Sequence, residues 1–196
     1  NILAILNYLK ILKNNGACHK VMIYTNNQGP REWALSIKDY FEYKLNYPLF
    51  DRVISAFKIG NEVIEPKRTT HDKTVNDFFN CTKLPRNSQI CFIDDQYHPE
   101  MTGDNVYYVY LKPYKYHLFP DEMLERFDHC LLRKYIKGDK EKFRRYMLNY
   151  MKNDKYEYKT DDELEVDRIV SKKIIENLQN FFSDSLKNKT IKKRRT

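Results

Sequence analysis

VMIYTNN (Val21–Asn27) and ICFIDD (Ile90–Asp95) decide the fold when read together. Each is an apolar run too short for a helix, and each stops abruptly on polar side chains. Such continuous runs are expected of strands buried on both faces of a parallel sheet. In open sheets of that kind, ligands sit at the carboxyl ends of the strands. The first run ends on Thr25, Asn26 and Asn27, the second on the adjacent carboxylates Asp94 and Asp95. Between them the segment EPKRTTHDKT carries Lys67, Arg68 and Lys73. A hydroxyl, a lysine and an acid pair supplied by successive elements make three quarters of a phosphoryl-transfer site. The missing quarter is a nucleophile.

Working outward, Ile2 to Lys13 has helical spacing of Ile2, Leu3, Ile5, Leu6, Leu9 and Leu12, and Asn14-Asn15-Gly16 stops it. Pro30 suits the first turn of a second helix, with Trp33, Ile37, Phe41 and Leu45 on one face. Arg52 to Ile59 reads as a strand that turns at Gly60-Asn61 toward Val63 and Ile64. His71-Asp72-Lys73 opens a short helix with Val75, Phe78 and Phe79 inward, capped by Thr70 or Asp72. Gln89 to Ile93 and Val106 to Leu111 are further strands. This alternation predicts one parallel, helix-covered sheet.

From Pro120 three amphipathic segments follow, at Asp121 to Ile136, Asp139 to Asn153 and Asp161 to Leu186. The last bears the stripe Val166, Ile169, Val170, Ile174, Leu178 and Phe181. The expected division is a core over 1–118, a helical extension over 119–188 and a basic tail over 189–196.

The 196 residues carry a formal charge of +8. Six bases after Ser185 (Lys187, Lys189, Lys192, Lys193, Arg194, Arg195) meet no acid, and without them 29 bases face 27 acids. The excess is therefore a tail rather than a binding face. Lys187 to Arg195 is expected to be mobile unless an acidic partner orders it, and to contact polyanions or stand as a solvated end. Aromatic residues at 14% argue against disorder. The four cysteines show no C-x-x-C spacing and no zinc pattern with histidine, which fits a reducing compartment. No apolar segment approaches the roughly 20 residues that span a bilayer.

Phosphoryl transfer is chiefly charge management, because negative charge spreads over the equatorial oxygens of the transferred group. Thr25 offers a hydroxyl and nearby backbone N–H groups, and a lysine offers a full positive charge. Asp94 and Asp95 offer the hard oxygen ligands that Mg²⁺ accepts, one or two carboxylates with several waters.

The stretch from about Ile2 to Tyr116 resembles the haloacid-dehalogenase (HAD) superfamily of aspartate-nucleophile phosphatases. It is most similar to the NLI-interacting-factor-like, CTD-phosphatase-type branch in the versions carried by large DNA viruses. IYTNN stands as its second motif, HDKT as its third and FIDDQ as its fourth. The resemblance implies a three-layer HAD-like α/β fold with a parallel sheet covered by helices, followed here by a C-terminal helical extension. It implies a Mg²⁺-dependent hydrolase acting on phosphoserine or phosphothreonine in a protein. Thr25 would hydrogen-bond the phosphoryl group with Asn26 beside it. Lys73 would neutralise the phosphate, with Lys67 as the alternative. Asp95 would touch Mg²⁺, and Asp94 would bind the metal too or hold the lysine. The implied setting is intracellular: host cytoplasm or nucleus, or a virion if the protein is viral.

The family's first motif, Asp-x-Asp-x-Thr, supplies the attacking carboxylate, and no Asp-x-Asp occurs in these 196 residues. The motif order places it before Ile2. Either an upstream segment carries it, or the protein lost the nucleophile and kept the fold. The strand bearing it would lie between Val21–Thr25 and Gln89–Ile93. The chain is therefore not expected to close this sheet without an upstream segment or a second chain. The alternatives are a non-catalytic structural or interaction protein such as a virion or assembly component, a nucleic-acid-binding module, and a nucleic-acid 3′-phosphatase on the same fold.

Overall fold

Short apolar runs and amphipathic helices fold into a mixed α/β chain, whose computed structural model describes residues 2–115, 118–153, 156 and 159–193, without the side chains of Arg31, Leu132 and 184–193. The order is α1 (Ile2–Asn14), β1 (Met22–Tyr24), α2 (Arg31–Leu45), β2 (Arg52–Ile54), β3 (Lys58–Ile59), β4 (Glu62–Val63), α3 (Val75–Thr82), β5 (Ile90–Asp94) and β6 (Val106–Tyr110). Then come α4 (Pro120–Asp128), α5 (Lys140–Met151) and α6 (Asp161–Lys193), with 3₁₀ turns at Pro99–Met101 and Leu131–Tyr135. One compact unit runs to Pro113 and resumes at Val166; Tyr114–Glu165 form another.

The single sheet expected from the strand alternation is instead three two-stranded pieces. β1 and β2 pair in parallel with Ile23 opposite Val53, and β5 and β6 pair in parallel with Phe92 opposite Tyr108. β3 and β4 form an antiparallel hairpin, so the run from Arg52 to Ile59 is broken into two strands. Gly60, at φ +57°, supplies the left-handed turn that joins them. β1 and β5 share no ladder.

The two parallel pairs nevertheless share their packing. On one side Ile54, Phe78, Phe79, Cys81, Ile90, Phe92 and Met101 form a buried cluster, with Met22, Tyr24, Val106 and Tyr108 against it. On the other, α1 puts Leu6 and Leu12 with Cys18, Val21, Leu45 and Leu49. Ile5 joins Ile174 and Leu178 of α6, with Cys91 and Ile93 packed on them. The α6 stripe thus packs on the core: the extension expected over 119–188 is split, and α6 from Val166 on belongs with the first unit.

Four local expectations need correction. Trp33 and Ile37 are 57% and 39% exposed while Leu45 is buried, so only the carboxyl half of α2 has a covering partner. The α3 cap is Thr74, whose side chain accepts from the Asp77 N–H, not Thr70 or Asp72. Lys73 therefore precedes the helix rather than opening it. The segment expected as a helix from Asp121 to Ile136 stops at Asp128 and continues as a 3₁₀ turn. In that second unit Asp128 draws Arg133, Lys140 and Arg144 together, and Phe127 packs against Phe143. The α6 backbone is helical to Lys193, past the expected boundary at 188. Arg194 and Arg195, the side chains of the tail and its expected polyanion contact lie outside the described residues. Among the described residues no helix is long and apolar enough to cross a membrane.

Asp51 pins α1 to the start of the first strand pair. Its carboxylate takes Lys13 Nζ at 2.8 Å, Lys20 Nζ at 2.9 Å and the Val21 N–H at 2.8 Å. Burial pulls its pKa up, but the two lysines and the amide outweigh it and hold the carboxyl below its ordinary 3.8. Its stabilisation is therefore complete above that value and is lost as pH falls through the lower folded value. Asp51→Asn is expected to cost about 1–3 kcal/mol at pH 7. In urea melts the difference from wild type should shrink as pH drops below the ordinary carboxylate range. Leu178→Ala, at a 2% exposed position, should cost about 2–5 kcal/mol in the same assay. A loss below about 0.5 kcal/mol would show that α6 is not part of the core.

Candidate functional site

Each piece of the site is placed by the end of an element. β1 stops at Tyr24 because Thr25 turns the chain: its N–H still reaches Ile54 O at 2.9 Å, while its Oγ1 accepts the Asn27 N–H at 3.0 Å. A hydroxyl that bonds its own chain two residues on is a common turn former. Asn27 Oδ1 then accepts the Gly29 N–H at 2.6 Å. Asn26 is half-buried, and its Oδ1 is buried without a hydrogen-bond partner among the described residues.

The segment before α3 is held down by buried polar groups. Asp77, fully buried, accepts from both the Thr69 N–H and the Thr69 Oγ1 at 2.9 Å. Arg68 is 2% exposed and donates to four carbonyls: Thr25 O at 3.3 Å and Ser55 O, His71 O and Asp72 O at 2.9 Å each. Its guanidinium lies 4.9 Å from the centre of the Tyr24 ring, a cation–π contact. The Tyr24 hydroxyl accepts the Thr74 N–H at 3.3 Å. Burial pushes the Tyr24 phenol up to about 12 despite the nearby Arg68 charge, so it stays neutral.

This scaffold delivers Lys73. The residue is 8% exposed, and its Nζ meets Asp94 Oδ2 at 2.5 Å, at the last residue of β5. The ammonium also lies 5.8 Å from the Tyr24 ring and 5.9 Å from the Phe92 ring, between the carboxyl ends of β1 and β5. Asp94 Oδ1 accepts the Gln96 N–H at 2.9 Å, and His98 Nε2 stands 3.6 Å from it. Tyr108 fixes that loop by donating to Gln96 O at 2.7 Å while accepting the His98 N–H at 3.0 Å.

Thr25, Lys73 and Asp94 therefore gather around the carboxyl ends of the two strand pairs, with Asn26 beside them. Lys67 does not: it is exposed, while its neighbour Arg68 is the buried base. Asp95 is exposed and, among the described residues, is met by no hydrogen bond or ion pair. A cavity of about 610 Å³ lies to one side, lined by Thr70, Asp72, Thr74, Arg86 and Glu100 among others, and none of the six expected site residues lines it.

The described residues do not make a metal centre by themselves. No group of three or more His, Cys, Asp or Glu side chains is positioned to hold a cation. Asp94 already has one oxygen on Lys73 and the other on a backbone N–H, which leaves Asp95 as the uncommitted carboxylate. What the arrangement offers is a sequestered cation aimed by a carboxylate, with the Thr25 hydroxyl and the unpartnered Asn26 amide oxygen following the end of β1. Asp77 was not named from the sequence, and Arg68 was named there without a role, because burial, not residue type, makes them structural. The cue for Arg68 was its place between two lysines in a polar run.

The chain matches no family model, no curated protein and no solved structure. Arg68→Lys keeps the charge but loses the planar fork. It should leave at least two carbonyls unpaired and cost at least about 2 kcal/mol in chemical denaturation. A loss within about 0.5 kcal/mol would remove Arg68 from its organising place.

Proposed function

We propose that this chain carries the phosphate-handling part of a HAD-like phosphatase of the aspartate-nucleophile type. The fold would be the HAD-like three-layer arrangement, and the substrate a protein bearing phosphoserine or phosphothreonine. The supporting observation is the buried Lys73–Asp94 pair at the carboxyl ends of β1 and β5, with Thr25 at the end of the neighbouring strand. An ammonium in a water-poor setting stabilises developing negative charge more strongly than one in bulk solvent. Asp94 holds that ammonium on the strand ends. Two of the three Lys73 N–H donors remain for phosphoryl oxygens, and Thr25 Oγ1 supplies a further polar contact.

The attacking group in this proposal is an aspartate of an upstream Asp-x-Asp segment. Its carboxylate oxygen would bond to phosphorus as the phosphorus–oxygen bond to serine or threonine breaks, the leaving oxygen taking a proton from the second aspartate of that segment. Water, giving a proton back to that second aspartate, would then attack the aspartyl phosphate, releasing inorganic phosphate and restoring the first carboxylate. The resemblance adds Mg²⁺ to this site, and Asp95 is the carboxylate left to meet it. The proposed setting is intracellular, or a virion if the protein is viral. The alternative is a non-catalytic HAD-fold structural or interaction protein, in which Lys73 and Asp94 only neutralise each other.

Phosphate release from a phosphoserine peptide, measured on this sequence extended by an upstream Asp-x-Asp segment, separates the two. Lys73→Ala should lower kcat by about 10²–10³. Asp95→Asn should reduce the response to added Mg²⁺ while the thermal melt stays unchanged. No phosphate release from the extended wild-type protein, with Mg²⁺ present, would leave the structural alternative standing.

A further inference from the structure

The second unit, Tyr114–Glu165, separates its charges locally. From Leu131 to Lys152 eight bases meet only two acids, Asp139 and Glu141. Three of those bases serve inside the unit. Arg133, Lys140 and Arg144 converge on Asp128, and Arg144 also donates to Asp121 Oδ1 at 2.8 Å. These pairs fix the rotation of α5. Phe143, Met147 and Met151 recur every four residues along its packed side, where Phe143 meets Phe127 and Met151 is buried.

The opposite side of α5 is a continuous exposed face. Lys142, Arg145, Tyr146 and Asn149 stand at i, i+3, i+4 and i+7, with Tyr150 and Lys152 at the flanks. The two tyrosines are 66% and 73% exposed. Among the described residues no hydrogen bond, ion pair or ring contact meets any of these six side chains. Glu141, at the margin, is the one acid within α5. Two flat rings and three uncommitted cations thus share a surface that the packing of the unit does not use.

We propose that this face of α5 binds single-stranded nucleic acid. Phosphates answer the cations, and the faces of unpaired bases answer the rings. Tyr146 and Tyr150 lie one turn apart, about 6 Å along the helix axis, so each ring receives its own base. Such stacking accepts any base, while flanking Lys and Arg side chains follow the backbone. Asn149, between the two tyrosines in sequence, adds an amide donor and acceptor for a base edge. A duplex keeps its base faces inside its own stack and would leave both rings in water. An anionic bilayer draws Leu, Phe or Trp into its interface, and this face carries none of them. An acidic protein would neutralise the cations without a flat surface for the rings. The assignment concerns the second unit alone and is independent of the phosphatase reading and of the basic residues after Ser185.

Fluorescence anisotropy tests it on the 196-residue chain with labelled oligothymidylate and oligouridylate of about 20 nucleotides. The wild type should bind at least one of them at about 50 mM NaCl and release it as salt rises. Tyr146→Leu with Tyr150→Leu keeps every charge and should weaken binding at least about 10-fold. Lys142→Gln with Arg145→Gln should also weaken it and lower the slope of log affinity against log salt by about 1.4, at about 0.7 for each phosphate contact. Both double variants should keep the wild-type thermal melt, because these side chains pack on nothing described. In the unsubstituted protein the oligonucleotide should shift the amide resonances of Lys142 to Lys152 before any others, a readout that needs no variant. Absence of binding at about 50 mM NaCl would overturn the proposal. So would binding that ignores both tyrosines, which would assign the contact to the basic residues after Ser185. Tyrosine-dependent binding to phosphatidylserine vesicles or to polyglutamate, with none to either oligonucleotide, would transfer the face to a membrane or to an acidic protein.

Discussion

The buried guanidinium of Arg68 is the constraint around which the site is arranged. Strand ends and loop carbonyls that leave water need donors, and a planar fork with several N–H groups can serve several at once. Arg68 serves the chain at three places: after β1 through Thr25, after β2 through Ser55, and before α3 through His71 and Asp72. Those carbonyl dipoles and the face of Tyr24 share its charge. Because the last two carbonyls belong to the residues just before Lys73, the same side chain that steadies Thr25 also sets where the lysine emerges.

Lys73 and Asp94 depend on that placement. Burying a lysine alone is costly, and an opposed carboxylate repays the cost only with close geometry. Asp94 meets the ammonium as the last residue of β5, and its second oxygen is steadied by the Gln96 N–H. Such a pair adds less to stability than its proximity suggests. What it provides is a fixed charge at a fixed point, which is the property a phosphate site requires.

The two parallel strand pairs explain why polar groups gather at these ends. Apolar strands packed between α3 on one side and α1 with α6 on the other leave only their termini for polar residues. The half-burial of Met22, Ile23 and Tyr24 is unusual for a strand with helices over both faces, and it matches the unpaired edge that β1 turns toward β5. Among the described residues, backbone pairing and side-chain packing both leave β1 half-covered on that edge.

Much of the element order was legible in the sequence, because strand and helix leave different apolar periods and Pro, Gly and Asn mark their ends. VMIYTNN and ICFIDD announced two strands with polar ends, although β1 is only half-buried, and the α6 stripe announced a packing face. Thr25 and Asp94 were found because a polar residue closing an apolar run is a local signal. What depended on distance in the chain was not legible. Nothing local distinguishes buried Arg68 from exposed Lys67 next to it, or Thr74 as the helix cap from Thr70. Nothing local reports that Trp33 and Ile37 stay exposed while Leu45 is covered, or that α6 returns to the core. Tertiary structure decided those points, because burial and carbonyl pairing are set by residues tens of positions away.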